Sequence, residues 1–145
     1  MTTSHSDTLE ALLVATHRLT RLAAQETGST TPAAVWRTLS ILEAEGGMRV
    51  GELAASSRIS QPAMTKLLRE LISDELVYRI ADSDDARAWT IAITPKGSRA
   101  LDSWRTRLAE TLEPHFGDLD AADWATLDRA ARLLTQHLGH GEAVA

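Results

Sequence analysis

The chain has 145 residues, no cysteine and a formal net charge of −5 at pH 7. The length suits one domain, with or without helical extensions. The absence of cysteine excludes disulfides, thiolate metal sites and cysteine nucleophiles. No apolar run approaches the roughly 18–20 residues needed to cross a bilayer, and the first seven residues are polar. We therefore expect a cytoplasmic protein without a secretory signal or a membrane span.

The first third of the chain predicts two helices. Residues 7–25 place apolar side chains at helical spacing, and Gly28 ends this segment. Thr31 is suited to cap a second helix that has Pro32 in its first turn and runs to about residue 44. A glycine pair then ends the second helix.

The middle of the chain predicts a short helix, a tight turn and a second, capped helix. Residues 52–56 form the short helix, Ser60 is a strong N-cap, and the second helix extends to about Ser73. The apolar side chains of the second helix lie on one stripe, so its opposite face is free. The candidate contact residues on that free side are Gln61, Pro62, Thr65, Lys66 and Arg69.

A β-hairpin is predicted next, followed by two long helices. Residues 76–80 and 88–93 are β-prone and flank an acidic turn. The turn is longer than two residues, so the hairpin should project, and Trp89 is expected to pack it against the body. Thr94 and Asp120 are suited to cap the last two helices, both of which carry apolar stripes.

This order of elements predicts a winged helix-turn-helix, mostly α with a small β-hairpin wing. Recognition helices contact base edges mainly through their N-terminal residues. Gln can pair with adenine, Lys with guanine, and the methyl group of Thr can touch thymine. Arg69, one turn further on, and Arg49, at the start of the short helix, suit phosphate contacts. Residues 49–99 carry eight Lys/Arg and seven Asp/Glu, so the acidic excess lies elsewhere in the chain.

Three stretches of the chain resemble the MarR-type (multiple antibiotic resistance regulator) transcription factors. They are Glu52-Leu53-Ala54, the run from Ile59 to Leu67, and Asp85-Ala86-Arg87-Ala88 followed by the run from Thr90 to Gly97. The resemblance implies a homodimer that binds double-stranded DNA as a transcriptional regulator, most simply a repressor on a near-palindromic operator. It also implies that Arg87 enters the minor groove from the wing and that Asp85 orients it.

The resemblance divides the chain into two functional regions. Residues 1–31 and 98–145 would form a helical dimerisation region. Residues 32–97, here called the reader, would bind DNA, with a reading helix over about 60–73 and a wing over about 76–94. Relatives of this type bind effectors in a cleft between the two regions. A small aromatic or anionic effector is therefore expected, and the candidate pocket residues are His17, Arg18, Arg21, Trp36 and Trp104.

Two other functions are alternatives to DNA binding. A winged helix can serve as a protein-interaction module without DNA binding, but such a module should lack basic residues on its reading helix and wing. An enzyme needs a convergent polar cluster, and no phosphate loop, triad spacing or paired carboxylates are found, so no enzyme activity and no cofactor are expected. His137 and His140, with Glu142 nearby, are read as a solvated tail rather than a metal site.

One departure from the MarR pattern has a physical consequence. Glu75 stands just after the reading helix, where the family often has glycine. If this position is left-handed, Glu75 costs roughly 1 kcal/mol.

Overall fold

The computed structural model describes residues 2–81 and 88–139. Within these ranges the chain is mostly helical with one small antiparallel sheet, so the predicted fold class is confirmed. The elements are α1 (His5–Thr27), α2 (Ala33–Glu45), β1 (Met48–Arg49), α3 (Val50–Ser57), α4 (Gln61–Ser73), β2 (Val77–Ala81), β3 (Trp89–Ile93), α5 (Pro95–Leu112), a 3-10 turn (Glu113–Phe116) and α6 (Ala121–His137).

The chain divides into two compact units. Unit 1 comprises Met1–Thr30 and Trp104–Asp118, and unit 2 comprises Thr31–Ser103 and Leu119–Ala145. Unit 2 contains α2, α3, α4 and the sheet, which are the elements of the predicted reader. The assignment of dimerisation and DNA binding to separate regions stays a prediction.

Polar caps determine where most of the helices begin. Ser4 starts α1 with a capping box, in which its Oγ accepts the Asp7 N–H and the Asp7 carboxylate accepts the Ser4 N–H, both at 3.0 Å. The hydrogen bonds from Ser4 hold the pKa of the Asp7 carboxyl below its usual value. Asp120 caps α6 in the same way, as predicted. Thr94 also caps α5 as predicted, because its Oγ1 accepts the Gly97 N–H at 2.9 Å.

The predicted cap of α2 is wrong. The helix begins at Ala33, and Pro32, rather than Thr31, occupies the N-cap position with an extended ψ of 141°. The proline side chain has no acceptor, so α2 starts without a side-chain cap.

The core of unit 2 joins the three helices of the reader to the sheet. Leu39, Leu53, Met64 and Ile91 are almost fully buried there, so the single apolar stripe predicted for α4 does face the core. Their burial fixes the orientation of α4 and therefore the direction of its free face.

The sheet has three strands, in the order β1-β3-β2, all antiparallel. The hairpin of β2 and β3 was predicted, and β1 adds a strand stub of two residues to it. Met48 of β1 lies opposite Ile91 of β3, so β1 pairs with the edge of β3 that faces away from β2. Two residues suffice because β3 already pairs with β2 along its full length.

Two non-glycine residues, one on each side of α4, adopt left-handed backbone conformations. Arg58, in the turn between α3 and α4, has a φ of 58°, and Glu75, just after α4, has a φ of 60°. Glu75 therefore has the left-handed backbone for which the sequence analysis gave a cost in free energy. Left-handed backbone is unfavourable for residues with a Cβ, at a cost of roughly 1 kcal/mol each, and these turns persist because both flanking helices are anchored in the core.

Candidate nucleic-acid interface

The reading helix α4 is held by its cap, its preceding turn and its buried stripe. The Ser60 Oγ accepts the Ala63 N–H at 3.2 Å, and Pro62 lies in the first turn, as the sequence predicts. Arg58 donates its N–H to the carbonyls of Ala54 and Ala55 and so ends α3 tightly. The N-terminal turn of α4 is therefore placed by short local bonds before any ligand binds.

The candidate contact residues of α4 are all exposed. Met64, Leu68 and Leu71 are buried. At 100° per residue, Pro62, Lys66 and Arg69 lie opposite this stripe. Lys66 and Arg69 are one turn apart, so α4 presents two cations on its solvent side. Within the described part of the chain, neither cation contacts a side-chain partner.

Gln61 and Thr65 lie on the flank of this face rather than at its centre. The Gln61 Oε1 lies 3.6 Å from the point that a Cβ on Gly51 of α3 would occupy, so this amide is close to α3. The Thr65 hydroxyl donates to the Gln61 carbonyl at 3.0 Å. Because that donor is used within the helix, the methyl group is the part of Thr65 best suited to a base contact.

Acidic residues near the end of α4 oppose its positive charge. Glu70 is exposed and lies four residues after Lys66, on the neighbouring part of the same surface. Beyond the helix, the Lys96 Nζ donates to the Asp74 carbonyl at 3.0 Å and lies 3.8 Å from the Glu75 carboxylate. The charge at this end is therefore close to balanced, and the positive face of α4 lies in its second and third turns, at Lys66 and Arg69.

Arg49 is the candidate for a phosphate contact at the start of α3, and this role stays a prediction. Arg49 is exposed, ends β1 and occupies the N-cap position of α3, with Thr90 as its opposite residue on β3. The N-terminal turn of a helix favours nearby anions, which suits the predicted phosphate contact.

The wing differs from the sequence expectation at Trp89. This side chain is 40% exposed rather than packed into the body. The Cζ of Arg79 lies 4.9 Å from the centre of the Trp89 ring, in cation–π contact across the two strands. Arg79 was not predicted from the sequence, because Arg79 and Trp89 are diagonal neighbours on two strands. Their contact can be recognised only when the strand register is known.

The most specific predicted contact falls on the tip of the wing. Arg87 and its orienting partner Asp85 lie outside the described residues. Their roles therefore continue to rest on the sequence motif and its resemblance.

Two of the predicted effector residues line pockets. Arg18 lines an open depression of about 500 Å³ along α1, together with Asp7, Glu10, Ala11, Val14 and Ala15, and Trp104 lines a second cavity. This cavity lies within unit 1, has a volume of about 240 Å³, and is lined by Glu26, Thr27, Ser29, Trp104, Arg107, Glu110 and Thr111. His17, Arg18 and Arg21 lie on exposed α1, and Trp36 is buried in α2. These four residues do not line this cavity.

The polar residues of this cavity were missed for an identifiable reason. Arg107 and Thr111 follow Trp104 at helical spacing, but the prediction for this helix rested on its apolar stripe, to which these polar residues do not belong. Beside the cavity, the His115 Nε2 lies 2.7 and 2.8 Å from the two carboxylate oxygens of Glu26. This pair joins the end of α1 to the 3-10 turn within unit 1.

Two further properties bear on the kind of site. Among residues 2–81 and 88–139, no group of three or more His, Asp and Glu side chains is arranged to hold a metal ion. His140 and Glu142 of the predicted solvated tail lie outside these ranges. No helix in the described part of the chain combines the length and apolarity needed to span a membrane.

Residues 32–89, which contain every element from α2 to β2 and the first residue of β3, match the sequence model of the MarR family. The resemblance to the MarR type is confirmed. MarR-family proteins are transcription regulators rather than enzymes.

Solved structures share the fold at low sequence identity. Transcriptional regulator Tm0710 from Thermotoga maritima has a TM-score of 0.72 and 20% identity, covering 92% of this chain and 94% of its own. A mutant of S. aureus MepR, bound to an oligodeoxyribonucleotide, has a TM-score of 0.62 and 20% identity, covering 89% of this chain and 96% of its own. The chain thus has the MarR winged-helix fold.

A curated relative matches part of the chain. The HTH-type transcriptional regulator YsmB of Bacillus subtilis (strain 168) is 28% identical over 92 residues, which are 63% of this chain. The match spans 62% of the length of YsmB.

Proposed function

We propose that the chain is a sequence-specific DNA-binding transcriptional regulator that acts as a homodimer on a near-palindromic operator. The observation that carries this proposal is the pair of exposed cations, Lys66 and Arg69, on the solvent face of a capped helix in a winged-helix fold. The fold shared with MepR, whose structure holds an oligodeoxyribonucleotide, supports the same function.

In the proposed complex, α4 enters the major groove with its N-terminal turns. Lys66 reads guanine, which presents two acceptors there, and Gln61, Pro62 and Thr65 complete the contact near the helix start. Arg69 and Arg49 bind phosphates and fix the register without reading sequence. Arg87, oriented by Asp85, enters the adjacent minor groove from the wing.

Two exposed apolar stripes support the homodimer. Trp124 and Leu127 on α6 are each 44% exposed, and Leu9 and Leu13 on α1 are 57% and 71% exposed. Contiguous apolar surface of this kind marks interaction sites in soluble proteins. A second copy of the chain is the occupant that a near-palindromic operator requires, because each half-site needs its own reader.

A small-molecule effector is part of the proposal. The cavity beside Trp104 offers an aromatic ring together with the guanidinium of Arg107, which suits an aromatic ligand with an anionic group. Glu26 and Glu110 also line it, so a ligand that carries a positive group in addition would fit the lining better than a simple anion. Binding changes DNA affinity only if the ligand prefers one spacing of the two readers.

The rival function, a protein-interaction module without DNA binding, fits these observations less well. Such a module has no need of exposed cations on the solvent face of the reading helix, yet Lys66 and Arg69 are both exposed there. A regulator of this kind acts where the chromosome is, which agrees with the expected cytoplasmic location.

Selection of duplexes from a random pool by the purified full chain tests the proposal. We expect a near-palindrome whose half-site centres are about one helical turn, ~34 Å, apart. Anisotropy measurements should then show that Lys66→Ala lowers the preference for this site over random DNA. Arg69→Ala should weaken binding to both alike, because phosphate contacts carry no sequence information. Failure to retain any duplex at low salt would refute the function.

A further inference from the structure

The wing carries an arginine besides Arg87, and its position is well defined. Arg79 is the third residue of β2, and its guanidinium carbon lies 4.9 Å from the centre of the Trp89 ring on β3. Both side chains are exposed. Arginine stacks well on aromatic faces, and this stacking limits the positions that the guanidinium can take. The positive charge of Arg79 is therefore exposed to solvent and held within a small range of positions.

The strand register shows which face of the wing this pair occupies. Arg79 lies opposite Ile91, and Val77 lies opposite Ile93. Since side chains alternate along a strand, Arg79 and Trp89 share a face with Val77 and Ile91. Val77 and Ile91 are 2% and 1% exposed, so this is the face that packs on the helical body. Arg79 and Trp89 lie on the same face further along the wing, where the face is exposed.

A winged reader meets one particular strand of the DNA backbone. If α4 lies in the major groove and the wing tip lies in the adjacent minor groove, one sugar–phosphate strand runs between them. In that arrangement, the side of the wing that faces the helical body is turned toward this backbone strand where it extends beyond its buried part. A guanidinium on that side meets phosphate oxygens, and its planar fork matches them with two parallel hydrogen bonds.

We propose that Arg79, held over the ring of Trp89, binds a phosphate of the backbone strand between the two grooves. Trp89 is a positioning residue in this arrangement and acts through Arg79. The inference rests on the proposed DNA-binding function and adds a contact that reads no sequence. It also supplies the wing with a cation besides Arg87.

Anisotropy with a labelled random-sequence duplex at several salt concentrations tests the phosphate contact, because such a contact is independent of sequence. Arg79→Gln should lower the slope of log K against log salt by about one. At 0.15 M salt the affinity should fall about five-fold, the effect of one lost phosphate contact at that slope. Arg79→Lys keeps the charge and should keep the wild-type slope.

A double-mutant cycle tests the role of Trp89. Trp89→Leu keeps apolar bulk and removes the ring, so affinity should fall about two- to five-fold while the salt slope stays unchanged. In the Arg79→Gln background the same substitution should have no further effect, because the two side chains act as one unit. An equal loss in both backgrounds would overturn the positioning role.

The charge control is Arg99→Gln, which removes the same charge from an exposed position on α5. Its slope and affinity should match those of the wild type. Far-ultraviolet circular dichroism confirms that each variant is folded. If Lys66→Ala weakens binding but Arg79→Gln keeps the wild-type slope and affinity, the phosphate contact is refuted and the proposed function stands. If the wild type does not bind the duplex at low salt, the proposed function fails and this inference fails with it.

Discussion

Glu75 occupies a backbone position that favours glycine, with a φ of 60° directly after the reading helix. Glu75→Gly removes the contact between its Cβ and the backbone, so we expect the free energy of unfolding to rise by about 1 kcal/mol. The lost ion pair with Lys96 spans 3.8 Å between exposed side chains and contributes little. Urea unfolding followed by circular dichroism measures the change.

Glu75→Ala is the matched control for this substitution. It removes the same carboxylate but keeps a Cβ at the left-handed position, so it should not stabilise the protein. The hydrogen bond from the Thr94 hydroxyl to the Glu75 carbonyl, at 2.6 Å, is retained in both variants because it uses the backbone. Equal stabilisation by Gly and Ala would mean that charge, rather than backbone strain, is relieved.

Arg87 is the residue on which the wing assignment depends. Arg87→Ala should weaken DNA binding by on the order of 1–3 kcal/mol, the range for a good base contact, and lower the salt slope by about one. The narrow minor groove has enhanced negative potential, which favours an inserted arginine. Asp85→Ala should do less harm, since it removes an orienting partner and also a negative charge near DNA. Wild-type affinity and slope for Arg87→Ala would contradict the wing assignment.

At the scale of single elements, the reading helix depends on one local bond at its start. Ser60→Ala removes the acceptor of the Ala63 N–H and should lower the free energy of unfolding by about 1 kcal/mol. Ser60→Asn retains a capping oxygen and adds no charge, so its stability should stay close to that of the wild type. Thermal unfolding of the three proteins, compared at equal concentration, decides whether the cap is needed.

The sequence predicted the elements well where local chemistry determines them. Ser60, Thr94 and Asp120 cap helices as expected, and the stripe through Met64 and Leu68 is buried. These features follow from residues three or four positions apart, which a helix brings together whatever the rest of the fold does.

Features that depend on distant residues were not predicted. The pairing of β1 with β3 and the stacking of Arg79 on Trp89 join segments whose register is set by the whole sheet. The cavity beside Trp104 is lined by polar neighbours such as Arg107 and Glu26, which the helical faces used to choose the effector residues did not indicate. Cap placement at Thr31 failed because Pro32 takes the extended N-cap conformation itself.

For the association of whole molecules, the distribution of apolar surface matters more than any single contact. The reader elements of unit 2 bury their stripes, whereas no residue of α6 is buried and its stripe stays exposed. A single copy of the chain therefore leaves apolar surface uncovered on this helix. In the proposed homodimer, burial of that surface supplies the free energy that pairs the two chains, and the proposed DNA contacts of each reader need no partner residue.

Leu127 and Leu133 of α6 offer a matched test of the dimer, because each is 44% exposed. Leu127 lies on the stripe with Trp124, whereas Leu133 lies on the opposite side of the helix at 100° per residue. In the proposed dimer, Leu127→Glu buries an uncompensated charge and should shift the protein toward monomer, while Leu133→Glu should not. Light scattering at micromolar concentration should give about twice the 15.8 kDa of one chain for the wild type and for Leu133→Glu. A single-chain mass for the wild type across that range would refute the homodimer.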